Sequence, residues 1–98
     1  MLVMLAYDCP ESKDQTFIRK EFEKIGGLRV QYSIYIFNGE SHECERVIRH
    51  MKRMVAEIDG DIRLFPMEER VWDAQIIMSE YLETTKRLGQ LKDFVIIW

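Results

Sequence analysis

The sequence predicts an α+β chain: a two-layer sandwich of helices on a sheet of roughly four or five strands, closed into a symmetric dimer. Three observations predict it. Short apolar runs alternate with two amphipathic stretches, in the order strand, helix, strand, helix, strand. The final run, Phe94-Val95-Ile96-Ile97-Trp98, is almost continuously apolar and needs cover on both faces. The helices cover one face of the sheet only. Tyr35, Phe37 and some of Val3, Leu5 and Tyr7 are expected on the other face, where a second subunit is the simplest cover.

Composition agrees. Ninety-eight residues make one domain over 1–98, and 47% of them are hydrophobic, enough for a core without metal or disulfide staples. A domain this small buries only about 60–65% of its unfolded surface, so a dimer interface adds needed burial. The net charge of −3 argues against nonspecific coating of nucleic acid, and leaves such a role dependent on a local basic patch. Cys9 and Cys44 form no disulfide framework, which points to the reducing cytoplasm. The opening MLVMLAYD is too short for a signal peptide or a membrane span, so no membrane partner is expected.

Leu2 to Tyr7 reads as a buried strand stopped by Asp8-Cys9-Pro10. Ser12 is placed to cap the first helix, with Gln15 completing a capping box. Phe17, Ile18, Phe22 and Ile25 recur on one face of that helix, and Gly26-Gly27 ends it. From Leu28 to Phe37 the residues alternate, as one long strand or as a tight hairpin broken near Gln31-Tyr32-Ser33. Asn38-Gly39 turns the chain and Ser41 caps the second helix, with Glu43 in its first turn. Cys44, Val47, Ile48, Met51, Met54, Val55 and Ile58 give that helix an apolar stripe, with Arg46, Arg49, His50 and Arg53 opposite. Ile62, Leu64 and Phe65 make a further strand closed by Pro66. Between Glu68 and Leu88, Val71, Trp72, Ile76, Ile77 and Met78 suit a strand and Glu80 to Arg87 a helix.

Few residues carry chemistry. Asp8 stands at a strand end, where α/β sheets commonly meet ligands and metals. One carboxylate makes a poor Mg²⁺ site, but two copies of Asp8 can converge across a dimer axis. Otherwise Asp8 simply ends the strand and bonds nearby amides. Arg29 is expected beside Gln31 and Ser33 on the face away from the helices, in reach of a phosphate or of an acidic neighbour. Ser33 has no His-Asp pair to activate it, so a hydroxyl hydrogen bond at a strand kink suits it better than nucleophilic attack. Tyr7, Tyr32 and Tyr35 read as packing residues. His42, Glu43 and Cys44 are consecutive on a helix and diverge, which disfavours zinc. The stripe of Arg46, Arg49 and Arg53 is either a solvated face or a track for phosphates.

The opening strand ending Tyr7-Asp8, the glycine-ended helix, and Gly27-Leu28-Arg29-Val30-Gln31-Tyr32-Ser33-Ile34-Tyr35 resemble the Cas2 family, the second core protein of CRISPR adaptation. In that pattern a Tyr-Asp strand end is followed by Arg-x-Gln-x-Ser and an aromatic. Ile62-Arg63-Leu64-Phe65-Pro66 and Val95-Ile96-Ile97-Trp98 also look like their counterparts, so the resemblance spans the chain. It implies a ferredoxin-like βαββαβ domain with an extra C-terminal strand, roughly residues 90–98, added to the partner of a homodimer. It further implies nucleic-acid (DNA or RNA) binding and a bridge between CRISPR integrase subunits in spacer acquisition. Some members are described as Mg-dependent endonucleases, which would give Asp8, Tyr7 and Arg29 catalytic roles, Asp8 a metal, and Arg19, Lys20, Arg29, Arg46, Arg49 and Arg53 the nucleic acid. Gln31 and Ser33 would then shape the strand kink. One departure weakens the nuclease: members of that type often carry arginines early in the first helix, where this chain has Gln15 and Phe17, with Lys13, Arg19 and Lys20 nearby instead. Outside the family, a toxin-type ribonuclease or a small ligand-binding module on the same fold remains the alternative.

Overall fold

Leu2, Val3 and Leu5 are completely buried, and the strand that carries them, β1 (Leu2–Asp8), runs through the middle of the sheet. The structure is a computed structural model that describes residues 1–76 and 78. After β1 come α1 (Ser12–Lys24), β2 (Leu28–Gln31), β3 (Ile34–Asn38), α2 (Ser41–Met54), β4 (Asp61–Met67) and a short α3 (Glu69–Asp73). The four strands pair antiparallel in the order β2-β3-β1-β4. Each of α1 and α2 thus joins two parallel strands with one strand between them, the split βαβ arrangement of the ferredoxin-like fold. The expected α+β, ferredoxin-like class is what the chain adopts. The terminal strand 94–98 lies outside the described residues, as does the reading of Glu80 to Arg87 as helix.

The stretch from Leu28 to Phe37 is a hairpin, turned at Tyr32 and Ser33. Its ladder steps from Arg29↔Tyr35 to Gln31↔Ile34, so two steps on β2 match one on β3. That bulge separates Arg29 and Gln31 onto opposite faces. Arg29 shares the face of Tyr35, and Gln31 shares that of Ile34.

Which face meets the helices differs from expectation. Leu5 and Tyr35 are buried against Ile18 and Phe22 of α1 and Val47 and Met51 of α2, with Tyr7, Phe37, Ile62 and Leu64 packed around them. Phe22 meets Tyr35 edge-on, ring centroids 6.3 Å apart. The aromatic set is therefore the inner face. The opposite face carries Leu2 and Ile36, flanked by Leu28, Val30 and Met67, and α3 covers it with Trp72. Trp72 thus sits on a helix rather than in a strand.

The helix ends also depart from the reading above. Ser12 and Ser41 are first helical residues, preceded by Glu11 and Glu40 at the cap positions. Gln15 donates instead to the Cys9 carbonyl at 2.6 Å, tying α1 to the end of β1. Glu43 accepts the Glu40 backbone N–H at 2.9 Å, half of a capping box. Gly26, at φ 101°, supplies the left-handed residue that ends α1. Phe17, one position off the Ile18, Phe22, Ile25 stripe, stays exposed at the edge. Strand β4 continues through Pro66, which the sheet tolerates because β4 is an edge.

Candidate nucleic-acid interface

Tyr7 lies at the end of β1 on the helix face, with its ring stacked on Tyr35 at 6.3 Å between centroids. Arg19 of α1 and Arg29 of β2 reach the same place, and together with Tyr32 they line a cleft of about 140 Å³. The Arg29 guanidinium sits 5.2 Å over the Tyr32 ring, a cation–π contact, and Tyr32 is 74% exposed. Burial pushes the Tyr7 phenol up, and pushes that of Tyr35 up to about 12. Both stay protonated at neutral pH, as hydrogen-bond donors rather than bases. None of the described residues lining the cleft is acidic. Two cations and neutral phenols suit an anion. Arg19 also approaches Glu23 at 3.7 Å, and Arg29 donates to the Gln31 carbonyl at 3.4 Å.

Asp8 is not in this cleft. It is exposed, it pairs across the ladder with Asp61, and strand alternation places it on the face opposite Tyr7. Asp61 is already held by Arg63, Nε to Oδ1 at 2.7 Å and Nη2 to Oδ2 at 3.0 Å, which lowers its carboxyl pKa. Two carboxylates, one of them engaged by a guanidinium, do not make a magnesium site within a single chain. Among the described residues no group of three His, Cys, Asp or Glu side chains is gathered to hold a metal. Cys44, next to His42 and Glu43, instead donates its thiol to the Met1 carbonyl at 3.4 Å. Of the residues expected to act together, Tyr7 and Arg29 meet, and Asp8 stands apart from them. Ser33 contributes its carbonyl, which accepts the Tyr7 N–H at 3.2 Å and prolongs the β1–β3 ladder.

The second basic feature is on α2. Arg46, Arg49 and Arg53 are exposed on one side of the helix, and among the described residues none of them makes an ion pair. Other cations are committed: Lys24 to Glu21, Arg63 to Asp61, Arg70 to Glu68. His50 leaves the stripe. It is half-buried and donates to Glu21 of α1 at 3.2 Å. Lys20 is exposed on α1, beside Arg19, Glu23 and Lys24.

The family model for CRISPR associated protein Cas2 matches residues 1–75. The chain belongs to the Cas2 family. Membership implies a role in CRISPR adaptation, and it overturns the alternative of a toxin-type ribonuclease or ligand module unrelated to CRISPR. No curated protein matches the sequence. The match covers every strand and helix described above, so the Cas2 pattern and the ferredoxin-like topology coincide. Among the described residues no helix is long and apolar enough to cross a membrane. The sequence reading missed that Tyr32, Tyr35 and Arg19 join Tyr7 and Arg29 in one cleft. The available signal was the helical position of Arg19, one turn from Gln15 and on the side of α1 that faces the end of β1.

Proposed function

We propose that this chain is a structural, nucleic-acid-binding subunit of CRISPR adaptation. It acts in the cytoplasm as a symmetric dimer of single 1–98 domains that bridges integrase subunits. The observation that carries the reading is the trio Arg46, Arg49 and Arg53: exposed guanidiniums without acidic partners among the described residues, in a chain of net charge −3. An uncommitted row of arginines has its charge available for phosphates, and releasing counterions from the duplex drives such binding. The cleft between Arg19 and Arg29 adds a second place for a phosphate, and Lys20 extends it along α1.

Scaffolding is favoured over hydrolysis because Asp8 lies across the sheet from Tyr7 and Arg29. A magnesium ion would need the partner's copy of Asp8 as well as this one. The dimer itself is supported by apolar side chains on the outer surface, Phe65 at 40% and Val71 at 56% exposed, and by the edge of β4, which no strand among the described residues pairs on its far side. That edge is the place for the partner's terminal strand.

The test is duplex binding as a function of salt. With Arg46, Arg49 and Arg53 all changed to Ala, the slope of log affinity against log salt should fall by about 0.9 per lost phosphate contact. An unaltered slope would return the trio to a solvated helix face.

A further inference from the structure

Where α2 passes the end of α1, Ile25, Phe37 and Val47 form the floor of a groove of about 430 Å³. Arg46, His50 and Arg53 stand around it, one helical step apart in turn, so a single side of α2 overlooks the floor. The polar groups nearest the floor are occupied. His50 donates to Glu21, and Glu43 accepts from the Glu40 backbone N–H. Arg46 and Arg53 at the rim have no ion-pair partner among the described residues, so they outnumber the one carboxylate lining the groove, that of Glu43.

We propose that this groove docks an acidic peptide segment through one apolar anchor side chain, at a site that shares Arg46 and Arg53 with the track that follows phosphates. Charge complementarity selects the segment: Arg46 and Arg53 flank an apolar floor and match carboxylates on both sides of an anchor. An unpaired nucleobase fits less well. It would press its hydrogen-bonding edge onto the apolar floor of Ile25, Phe37 and Val47, and an unmade buried hydrogen bond is costly. A Leu or Phe anchor carries no such penalty. Arg49 does not line the groove, so it belongs to the phosphate track alone, whereas Arg46 and Arg53 serve both surfaces. Peptide and duplex then compete for the same two guanidiniums.

The experiment is fluorescence anisotropy on the full chain with a labelled peptide Glu-Asp-Asp-Leu-Phe-Glu-Asp-Glu, beside a control in which Leu-Phe is replaced by Gly-Ser. The proposal expects the control to bind about tenfold or more weaker, the loss of a buried apolar side chain. It expects Ile25→Gln, which spoils the apolar floor without adding a charge beside Arg46 and Arg53, to weaken peptide binding about tenfold while circular dichroism and duplex affinity stay near wild type. Arg49→Ala should leave the peptide untouched and weaken the duplex. Equal binding of both peptides would overturn the proposal. So would no binding at all, or an Ile25→Gln variant that releases a single-stranded oligonucleotide and not the peptide. These readouts involve no nuclease activity and no dimer, so they fail separately from the function proposed above.

Discussion

His50 of α2 and Glu21 of α1 meet at 3.2 Å, Nε2 to Oε2, and they join the two helices across the layer that covers the sheet. Glu21 is 8% exposed and also accepts from Lys24 at 3.1 Å. The hydrogen bond from Lys24, then that from His50, hold its carboxyl below the ordinary value of 4.5.

A group whose folded pKa is depressed adds stability above its unfolded value and loses it as pH falls through the folded one. Melting temperature should therefore drop in acid below the ordinary Glu value of 4.5, in part because Glu21 takes up a proton. Glu21→Gln should melt lower than wild type at neutral pH, and the two curves should converge in acid. Calorimetry across that range checks it; parallel curves would remove Glu21 from the linkage.

Tyr35 behaves in the opposite sense. Its phenol is raised to about 12, so the folded state retains a proton that the unfolded chain gives up from the ordinary value of 10.0. Stability should then fall as pH rises between those two values. Tyr35→Phe should flatten the fall, and what remains belongs to Tyr7, which is raised by burial too. Urea midpoints at about pH 9 and about pH 11 measure both.

Trp72 is 6% exposed and packs on Leu2 and Ile36. Trp72→Ala should destabilise by about 3–5 kcal/mol, the usual cost of emptying a large aromatic site. Denaturant unfolding with an unchanged slope would report it as loss of stability alone. A cost below about 1 kcal/mol would mean that α3 is no fixed part of the outer face.

Asp8 is exposed and touches neither the arginine trio nor the tyrosine cleft. Asp8→Asn should accordingly fold as wild type, keep the wild-type mass by light scattering, and bind duplex within about twofold of wild type. Lost duplex binding with intact folding would place Asp8 in the interface after all.

Much of this architecture is legible in the residues. The stripe through Cys44, Val47 and Met51 announces α2 by its helical period, and Leu2 to Leu5 announces β1 as a short unbroken apolar run. The inner and outer faces are not legible. Tyr35 and Phe37 alternate with Ile34 and Ile36, both sets are apolar, and only the packing of Phe22 on Tyr35 makes the aromatic set the inner one. The bulge between Arg29 and Gln31 is silent in the sequence, which here contains no glycine to mark it, yet it takes Gln31 off the face of Arg29. The caps failed for a related reason: serine and glutamate both suit a helix start, and Glu43 reached back to Glu40 rather than to Ser41. Of the site, the arginine trio was visible as a helical spacing. The cleft was not, because its residues come from β1, α1 and the hairpin turn, brought together by the topology.

Pro66 stands on the free side of an edge strand, and it has no N–H to offer. A visiting strand laid along β4 would find outward N–H donors at Ile62 and Leu64 and then a gap. Its ladder is confined to about five residues, roughly 16 Å. The proline thus acts as a stop on docking length: it denies a long foreign strand the continuous run on which edge-to-edge aggregation grows.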